Sequence, residues 1–402
     1  MDAFSRWALS FSAALLLSLT STPLAGQGTP PSTRPGPTTT FMVAGYGTAG
    51  WQATTGNGEG NSFFGSVSPL LLFRFGDRFL YEAELEFEIE EGVTRTSLEY
   101  AQLDFFLNDN ITVVAGKFLL PFGVFGERLH PTWINRFASN PPLFGHGDGG
   151  VSPLLPILSD FGAMIRGSWA FEEGRAVTAS IFVTQGPSVE AHDEEEEAEP
   201  HGTLLSSAFQ LSSEGSEEEE EHGDLAPLPE FQFGGNAVDN NKDKMIGARL
   251  AWVMAPNFEL DASAMTGAFD DEGSRLTGVN LAAEFRKGAT EIRGEGFSLW
   301  YDVEEPAEEG EEHSEGTVRA KTGGYYLQAA HRRGPWEPVF RWTQTLGSSA
   351  DGFEDRDGFY QVGFGLNYWF SPAIALMTGY EINKTADTDL PDRLLVHWSF
   401  GF

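Results

Sequence analysis

The sequence contains no cysteine, which excludes disulfide bonds and thiol chemistry. Basic residues are scarce as well, because 25 lysines and arginines stand against 59 acidic residues, for a formal net charge of −34. That balance argues against nucleic acid as a partner, since the chain would repel the phosphate backbone. Beyond the N-terminus, no stretch approaches the roughly 18 consecutive apolar residues of a membrane helix. The chain is therefore expected to be periplasmic, secreted or a membrane barrel.

The N-terminus has the pattern of a secretory signal. An arginine precedes an apolar run, and small residues follow that run. This pattern predicts a signal peptide over residues 1–26 that is cleaved on export. Residues 27–39 are rich in proline, threonine and glycine, and they are expected to form a flexible lead-in.

From residue 40 to residue 402 the sequence repeats one pattern. Segments of about 10–14 residues alternate in period two and are separated by turn residues. The clearest segment is Phe79–Glu90, in which aromatic and aliphatic residues alternate with glutamates. A helix would scatter both sets around its circumference, so this segment is predicted to be a strand.

The C-terminal segment alternates in the same way. Apolar residues at 394, 396, 398, 400 and 402 alternate with smaller or more polar ones. One face therefore suits lipid and the other suits a lumen. The ending, on Phe402, resembles the terminal strand of bacterial outer-membrane barrels. It predicts a closed barrel whose last strand pairs with its first.

The number of segments and the lengths of their connections agree with this interpretation. The pattern predicts about 16 strands, and bacterial single-chain barrels have an even number. Every second connection is short, and the connections between them are mostly longer. Outer-membrane barrels have short periplasmic turns and long extracellular loops. We therefore predict an all-β protein, a transmembrane antiparallel β-barrel of the bacterial outer membrane.

A short motif follows the fifth predicted strand. Residues 115–123 read Ala-Gly-Lys-Phe-Leu-Leu-Pro-Phe-Gly, with Glu-Arg-Leu-His at 127–130 and Ile-Asn-Arg at 134–136. This stretch resembles the phosphate-selective porin O/P family of bacterial outer-membrane porins. The resemblance implies a barrel of about 16 strands, usually a homotrimer, whose third extracellular loop folds inward to narrow the pore. That loop corresponds to residues 122–160 here. Its candidate constriction residues are Arg128, His130 and Arg136.

Selectivity is where this sequence departs from that family. Phosphate-selective members use a ladder of basic residues, whereas acidic residues predominate here. Pore function is expected to carry over, and phosphate preference is not. Carboxylates along the lumen attract cations, unless basic residues across the pore pair with them. A weak cation preference is thus expected. The alternative is a wide pore with little preference between cations and anions. The candidate pore-lining residues are Glu82, Glu84, Glu86, Glu88, Lys117, Arg166, Arg249, Arg286, Arg293 and Arg341.

Two connections on the predicted outer side are strongly acidic. The longer one covers residues 187–240, and its part 190–230 contains no lysine or arginine and is predicted to be disordered. Histidines lie among these carboxylates, and the combination suits Zn²⁺, whereas carboxylates alone suit Ca²⁺. These candidate metal ligands are His192, His201, His222 and His313. Their spacing is loose, so the default is a solvated acidic brush, and the alternative is weak multivalent capture of divalent cations.

The function predicted from the sequence is an outer-membrane porin. Small hydrophilic solutes or ions would diffuse passively through a water-filled channel, without a cofactor, in contact with outer-membrane lipid. The alternative is a metal-binding surface protein whose barrel only anchors the acidic loops. An enzyme is not expected, because neither His331 nor His397 has a recognisable serine or aspartate motif nearby. A TonB-dependent receptor is a weaker choice, because no room for a plug precedes the first strand.

Overall fold

The computed structural model describes ten stretches of the chain. These are residues 39–55, 60–90, 93–144, 154–155, 158–189, 231–233, 242–304, 316–351, 358–385 and 390–402. The predicted signal peptide, the lead-in and most of both acidic loops lie outside the described residues.

The described residues form eighteen strands. The strands are β1 (Thr39–Thr54), β2 (Asn61–Phe75), β3 (Phe79–Glu90), β4 (Val93–Phe106), β5 (Ile111–Leu119), β6 (Ser159–Ala170), β7 (Ala176–Thr184), β8 (Pro187–Val189), β9 (Phe231–Phe233), β10 (Met245–Ala255), β11 (Phe258–Ala268), β12 (Arg275–Lys287), β13 (Thr290–Glu304), β14 (Thr317–His331), β15 (Trp336–Ser349), β16 (Phe359–Ser371), β17 (Ile374–Thr385) and β18 (Arg393–Gly401). Within the described stretches, three helical turns accompany them, namely a π-turn Phe125–Leu129, an α-turn Thr132–Asn135 and a 3₁₀ turn Glu172–Gly174. No helix in the described stretches is long and apolar enough to cross a membrane.

Sixteen of the strands close into a single antiparallel barrel, in the ring order β1-β18-β17-β16-β15-β14-β13-β12-β11-β10-β7-β6-β5-β4-β3-β2. Strands β8 and β9 form a separate two-stranded sheet, so β7 pairs with β10. The all-β transmembrane barrel predicted from the period-two pattern is confirmed. One end of the barrel carries a short turn at every second connection, and we name it the short-turn end. The other is the long-loop end.

The seam between the first and last strands closes the barrel. Gly45 N–H donates to the carbonyl oxygen of Phe402 at 3.0 Å, and Phe402 N–H donates back to Gly45 at 2.9 Å. The register continues from Tyr46 opposite Gly401 to Thr54 opposite Arg393. Because closure leaves no strand edge unpaired, the wall satisfies the requirement that lipid imposes on backbone groups.

The two faces of the wall differ as the alternation predicts. Trp398 of β18 is 44% exposed and Phe402, which directly follows this strand, is 50% exposed, whereas His397 and Ser399 are buried. The exposed face carries large apolar side chains around the barrel, which suits lipid. The opposite face points into the lumen.

Two short segments of the predicted acidic loop, residues 187–240, pair with each other near its ends. Pro187–Val189 pairs with Phe231–Phe233. Phe231 packs edge-on against Phe269 and Tyr301, with ring centres 5.2 and 5.7 Å apart. Aromatic residues flanking the acidic stretch thus bury surface that the acidic residues themselves cannot bury. The predicted disorder over residues 190–230 falls outside the described stretches.

Replacing Gly45 by valine should weaken the seam. A Cβ atom on Gly45 would lie 2.6 Å from both the Phe402 ring and the Ser68 carbonyl oxygen, so one of them must move. Overpacking of this kind typically costs about 1–3 kcal/mol. We expect a lower temperature for the loss of the compact band in heat-modifiability electrophoresis. Ala49→Val, on the same face of β1, is the control, and equal transition temperatures for the two variants would contradict the role of this contact.

Candidate functional site

The connection from β5 to β6, residues 120–158, is named the inner loop, and its described residues, 120–144, 154–155 and 158, lie inside the barrel. Gly123 N–H donates to Ser263 Oγ at 2.8 Å, and the next two backbone N–H groups donate to the Glu295 carboxylate at 2.9 Å. Ser263 and Glu295 are buried side chains on the lumen face of β11 and β13. Gly123 has φ 78°, and a side chain there would collide with the Glu295 carboxylate. Glycine therefore lets the loop turn inward against the wall.

An apolar core fills the space between the inner loop and the neighbouring wall. The rings of Phe125 and Phe144 stack at 5.2 Å, and Phe144 also contacts Phe297 at 5.4 Å and Tyr326 at 6.3 Å. Further fully buried members come from the loop and from the lumen faces of the strands: Val114, Phe118, Leu143, Leu155, Met164, Met245, Leu276 and Leu299. This part of the lumen is packed like a globular interior, so the hydrophobic effect holds the loop in place.

Phe137 anchors the second half of the inner loop. Its ring is fully buried against Gly363 and Gly365 of β16 and Gly379 of β17, and a Cβ atom on Gly363 would lie only 2.5 Å from it. The Arg341 guanidinium lies 4.1 Å from the ring centre, a cation–π arrangement. We name this arrangement the glycine socket.

Buried charges fix the loop next to the glycine socket. Arg341 Nη1 donates to the Ser139 carbonyl at 2.7 Å, and its Nη2 lies 3.0 Å from Glu381. Glu381 also pairs with Arg393 at 2.7 Å and accepts a hydrogen bond from the Ser139 hydroxyl. Removing one member of such a buried group would leave an uncompensated charge, which is strongly destabilising.

A second polar anchor lies nearer the short-turn end. Arg136 of the loop pairs with Glu337 at 2.7 Å and with Glu291 at 3.3 Å. The Asn135 carbonyl accepts hydrogen bonds from Arg293 and from Gln328, the latter at 2.6 Å. The loop is therefore bound to the lumen faces of β13, β14 and β15.

Two residues of the inner loop reach opposite walls. Arg128 pairs with Glu259 on β11 at 2.8 Å. His130 Nε2 lies 3.1 Å from the hydroxyl of Tyr46 on β1, which in turn donates to Glu84 on β3 at 2.5 Å. Strands β1 and β11 are eight positions apart in the ring of sixteen, so they face each other. The loop thus crosses the lumen at this level.

Glu127 ties the same turn to the side wall. Its carboxylate pairs with Arg249 of β10 and, at 3.0 Å, with Arg166 of β6. Arg249 also pairs with Asp261 at 2.6 Å. Burial raises the pKa of the Glu127 carboxyl, but the guanidinium groups of Arg249, Arg166 and Arg128 outweigh burial and hold that pKa below its ordinary value.

Two groups of acidic residues in the lumen differ in their partners. Six carboxylates on β11 to β17 pair with arginine: Glu259, Asp261, Glu284, Glu291, Glu337 and Glu381. Four glutamates of β3, which we name the acidic ladder, are Glu82, Glu84, Glu86 and Glu88. Within the described residues, no ion pair involves the ladder. The ladder glutamates therefore lack the arginine partners that these six carboxylates have.

The arginines predicted to line the pore lie on lumen faces but differ in surroundings. The side chains of Arg249, Arg293 and Arg341 are buried beneath the inner loop, so they hold it rather than face open water. Arg166 is partly exposed beside Glu127, and Arg286 is exposed near the short-turn end.

Lys117 corrects the sequence prediction. It pairs in register with Ala101 and Phe161, and so lies on the face opposite Asp104 and Arg166. Its Nζ donates to the Leu98 carbonyl at 2.8 Å. The prediction assumed that a polar residue of β5 points into the lumen. The lumen face of β5 is instead apolar, and this face packs into the core around the inner loop.

The four histidines predicted as metal ligands, His192, His201, His222 and His313, lie outside the described residues. In the stretches that are described, no group of three or more histidine, aspartate or glutamate side chains is placed to hold a metal ion.

Sequence reasoning missed Glu127 and Phe137 as anchors. The signal for Phe137 is present, because Gly363 and Gly365 occupy successive lumen positions of β16 and leave a gap for a ring. Nothing in the sequence says which ring fills it, because the partner lies more than two hundred residues earlier.

Comparison with known proteins gives a likeness of fold. No protein-family model and no curated protein matches the chain. The outer-membrane channel DcaP of Acinetobacter baumannii superposes with a TM-score of 0.54 at 10% identity, covering 90% of this chain and 97% of that one. The anion-selective porin of Comamonas acidovorans gives 0.52 at 12%, covering 91% and 100%. Trimeric OmpT of Vibrio cholerae gives 0.51 at 9%, covering 90% and 99%. The chain shares the fold of these outer-membrane proteins.

Replacing Phe137 by alanine should release the second half of the inner loop, because truncating a buried phenylalanine typically costs about 3–5 kcal/mol. Since the chain has no cysteine, Ala138→Cys supplies a single buried reporter thiol. We expect Phe137→Ala to raise the rate at which a maleimide labels the thiol at position 138 by at least about tenfold. A loss of about 1.4 kcal/mol in the free energy that holds the loop against the wall would give this factor. Phe364→Ala, between the two socket glycines but 52% exposed on the outer face, is the control. Equal rates in both variants would contradict the socket.

Glu127 predicts a pH dependence of stability. Because its folded-state pKa is depressed, its contribution is present above the unfolded value of about 4.3 and is lost as the pH falls through the folded value. Glu127→Gln should lower the free energy of unfolding at pH 7 by about 1.5–3 kcal/mol. This gap in free energy between the unmodified protein and the variant should close at strongly acidic pH. Urea unfolding followed by tryptophan fluorescence measures this gap, with exposed Glu172→Gln as control. A gap that persists unchanged in acid would contradict the assignment.

Proposed function

We propose that the protein is an outer-membrane porin, a passive diffusion channel for small hydrophilic solutes and ions with a preference for cations. One observation carries the proposal. A loop crosses a closed barrel from wall to wall, and the glutamates of the acidic ladder form no ion pair within the described residues. The loop narrows the route, and Arg128, His130 and Arg136 act as residues that position it.

The charge distribution supports the cation preference. Arginines on the loop side are neutralised by carboxylates, so they offer an anion little net positive potential. The ladder has no such partner, and charged rows of this kind select ions by sign in channels. The formal net charge of −34 acts in the same direction at the mouth, and its reach falls to about 10 Å at 0.1 M salt. The basic ladder expected of phosphate-selective porins is absent from the lumen positions of β3.

Location and assembly follow from the same reasoning. The exposed apolar wall suits a lipid bilayer, and the N-terminal pattern suits export with removal of residues 1–26. By the parity rule for such barrels, the short-turn end would face the periplasm and the acidic loops the outside. A homotrimer is proposed because the similar OmpT structure is a trimer form.

The rival function, capture of divalent cations by the acidic loops, has no support from the described residues, since its histidines lie outside them. Deleting residues 190–230 separates the two functions. A porin keeps its conductance after this deletion, whereas a capture protein loses metal binding and its function with it.

The selectivity test replaces Glu84, Glu86 and Glu88 by glutamine. The reversal potential of single channels across a KCl gradient should report a preference for K⁺ in the unmodified protein. The triple variant should shift that potential toward Cl⁻, more at low salt than at high salt, because screening already weakens the ladder at high salt. An unmodified channel that favours chloride would overturn the proposal.

The control variant removes the same number of charges outside the lumen. Asp109→Asn with Glu172→Gln and Glu173→Gln changes exposed carboxylates of two short turns. This variant should keep the reversal potential of the unmodified channel. An equal shift in both triple variants would mean that total charge, and not the ladder, sets the preference.

A further inference from the structure

A cavity of about 170 Å³ lies at the short-turn end of the barrel, and we name it the short-turn cavity. It is bounded by the inner loop and by residues at or next to the ends of β12, β13, β14 and β16. Among the described residues, its charged lining consists of three guanidinium groups and one carboxylate, those of Arg136, Arg286, Arg332 and Glu291. The rest of the lining is apolar or aromatic and includes Trp133 and Pro372. A cavity of this size has room for several waters or for one small organic molecule.

Two arginines of the short-turn cavity have hydrogen-bond donors that the protein does not use. Arg286 binds Glu284 and Glu291 through its Nε atom. Arg332 donates from its Nε atom to the Gly334 carbonyl at 3.3 Å. Within the described residues, the terminal N–H groups of both side chains have no acceptor. Because the paired N–H groups of a guanidinium match the two oxygens of a carboxylate, these donors suit a carboxylate ligand.

The charges around the cavity leave one guanidinium without a carboxylate. Three arginines and three carboxylates form one network of ion pairs, whose members are Arg136, Arg286, Arg293, Glu284, Glu291 and Glu337. Arg332, in the turn between β14 and β15, forms no ion pair within the described residues, and its guanidinium lies 5.0 Å from the centre of the Trp369 ring. Arg332 therefore differs from the arginines beneath the inner loop, because its positive charge is available to an anion.

The apolar part of the lining favours an organic anion over an inorganic one. Inorganic anions are strongly hydrated, and apolar groups cannot replace their water. An organic anion can place its hydrocarbon body against Trp133 and Pro372 and so remove apolar surface from water. In addition, the indole N–H of Trp133 is buried and has no hydrogen-bond partner among the described residues. Such a donor is costly to leave without an acceptor.

We infer that the short-turn cavity is a binding site for a small organic carboxylate with an aromatic body. The carboxylate binds the guanidinium groups of Arg286 and Arg332, and the aromatic body lies against Trp133 and Pro372. No residue of the acidic ladder takes part. The site requires only the folded barrel, so it goes beyond the proposed cation channel and does not depend on it.

The test measures binding by isothermal titration calorimetry on the folded protein in detergent, so that no ion conduction is needed. Benzoate carries a negative charge and a ring, acetate carries the charge alone, and benzamide carries the ring without the charge. We expect the Kd of benzoate to be at least about tenfold below that of acetate and of benzamide, because only benzoate uses both the guanidinium groups and the apolar lining.

Two variants locate the site. Arg332→Gln should raise the Kd of benzoate at least about tenfold, since it removes the unpaired charge and its donors. This change leaves no carboxylate of the described residues without its partner, so the anchors of the inner loop stay intact. Arg333→Gln is the matched control, because it removes the same charge from the same turn but lies outside the lining of the cavity. It should keep the Kd of the unmodified protein, and heat-modifiable mobility confirms that each variant is folded.

The outcomes separate this site from the proposed channel. Benzoate that binds no more tightly than acetate or benzamide would overturn the inference and leave the porin proposal standing. An equal Kd in the Arg332 and Arg333 variants would also overturn it, because benzoate would then bind elsewhere. Tight binding of benzoate that Arg332→Gln alone weakens would support the site, whichever ion the channel prefers.

Discussion

Closure of the wall by β1 and β18 is the constraint on which the remaining structure depends. Lipid offers no hydrogen bonds, so each backbone group at the membrane level needs a partner within the wall. The reciprocal bonds between Gly45 and Phe402 complete that pairing at the seam. Once the wall is closed, its interior is separated from lipid, and polar and apolar contacts can both form there without reference to the bilayer.

The inner loop uses that separation to give the barrel a second interior. Aromatic residues of the loop pack against the lumen side of β5 to β7 and β10 to β14, and buried ion pairs surround them. Each guanidinium beneath the loop pairs with a carboxylate, so the charges on this side neutralise one another in the contacts that hold the loop. On the opposite side the loop reaches Glu84 of the acidic ladder only through His130 and Tyr46. Under the proposed function, loop anchoring and ion selectivity are thus divided between walls.

The strands and their order were predictable because a membrane wall imposes period two on every segment. The inward direction of the inner loop was accessible only through the resemblance carried by residues 115–123. The sequence could not show which charged lumen residues pair with each other. Arg341 and Glu84 look alike as lumen charges, yet Arg341 is enclosed by Glu381 and Ser139, whereas Glu84 has no cationic partner and accepts a hydrogen bond from Tyr46. Lys117 was misplaced because an apolar lumen face breaks the rule that polarity marks the inside.

This division between walls has a consequence for which positions of the barrel can be substituted. Substitutions at Arg341, Glu381 or Phe137 disturb interlocking contacts, so these positions are constrained together. Within the described residues, the ladder positions on β3 form no ion pairs, so a change of charge at Glu82, Glu86 or Glu88 breaks none of the ion pairs that hold the loop. Under the proposed function, related barrels could therefore acquire opposite solute preferences through substitutions on a single hairpin, β3 and β4, while the remaining wall is preserved. The positions proposed to set selectivity would then be the ones whose substitution disturbs the fold least.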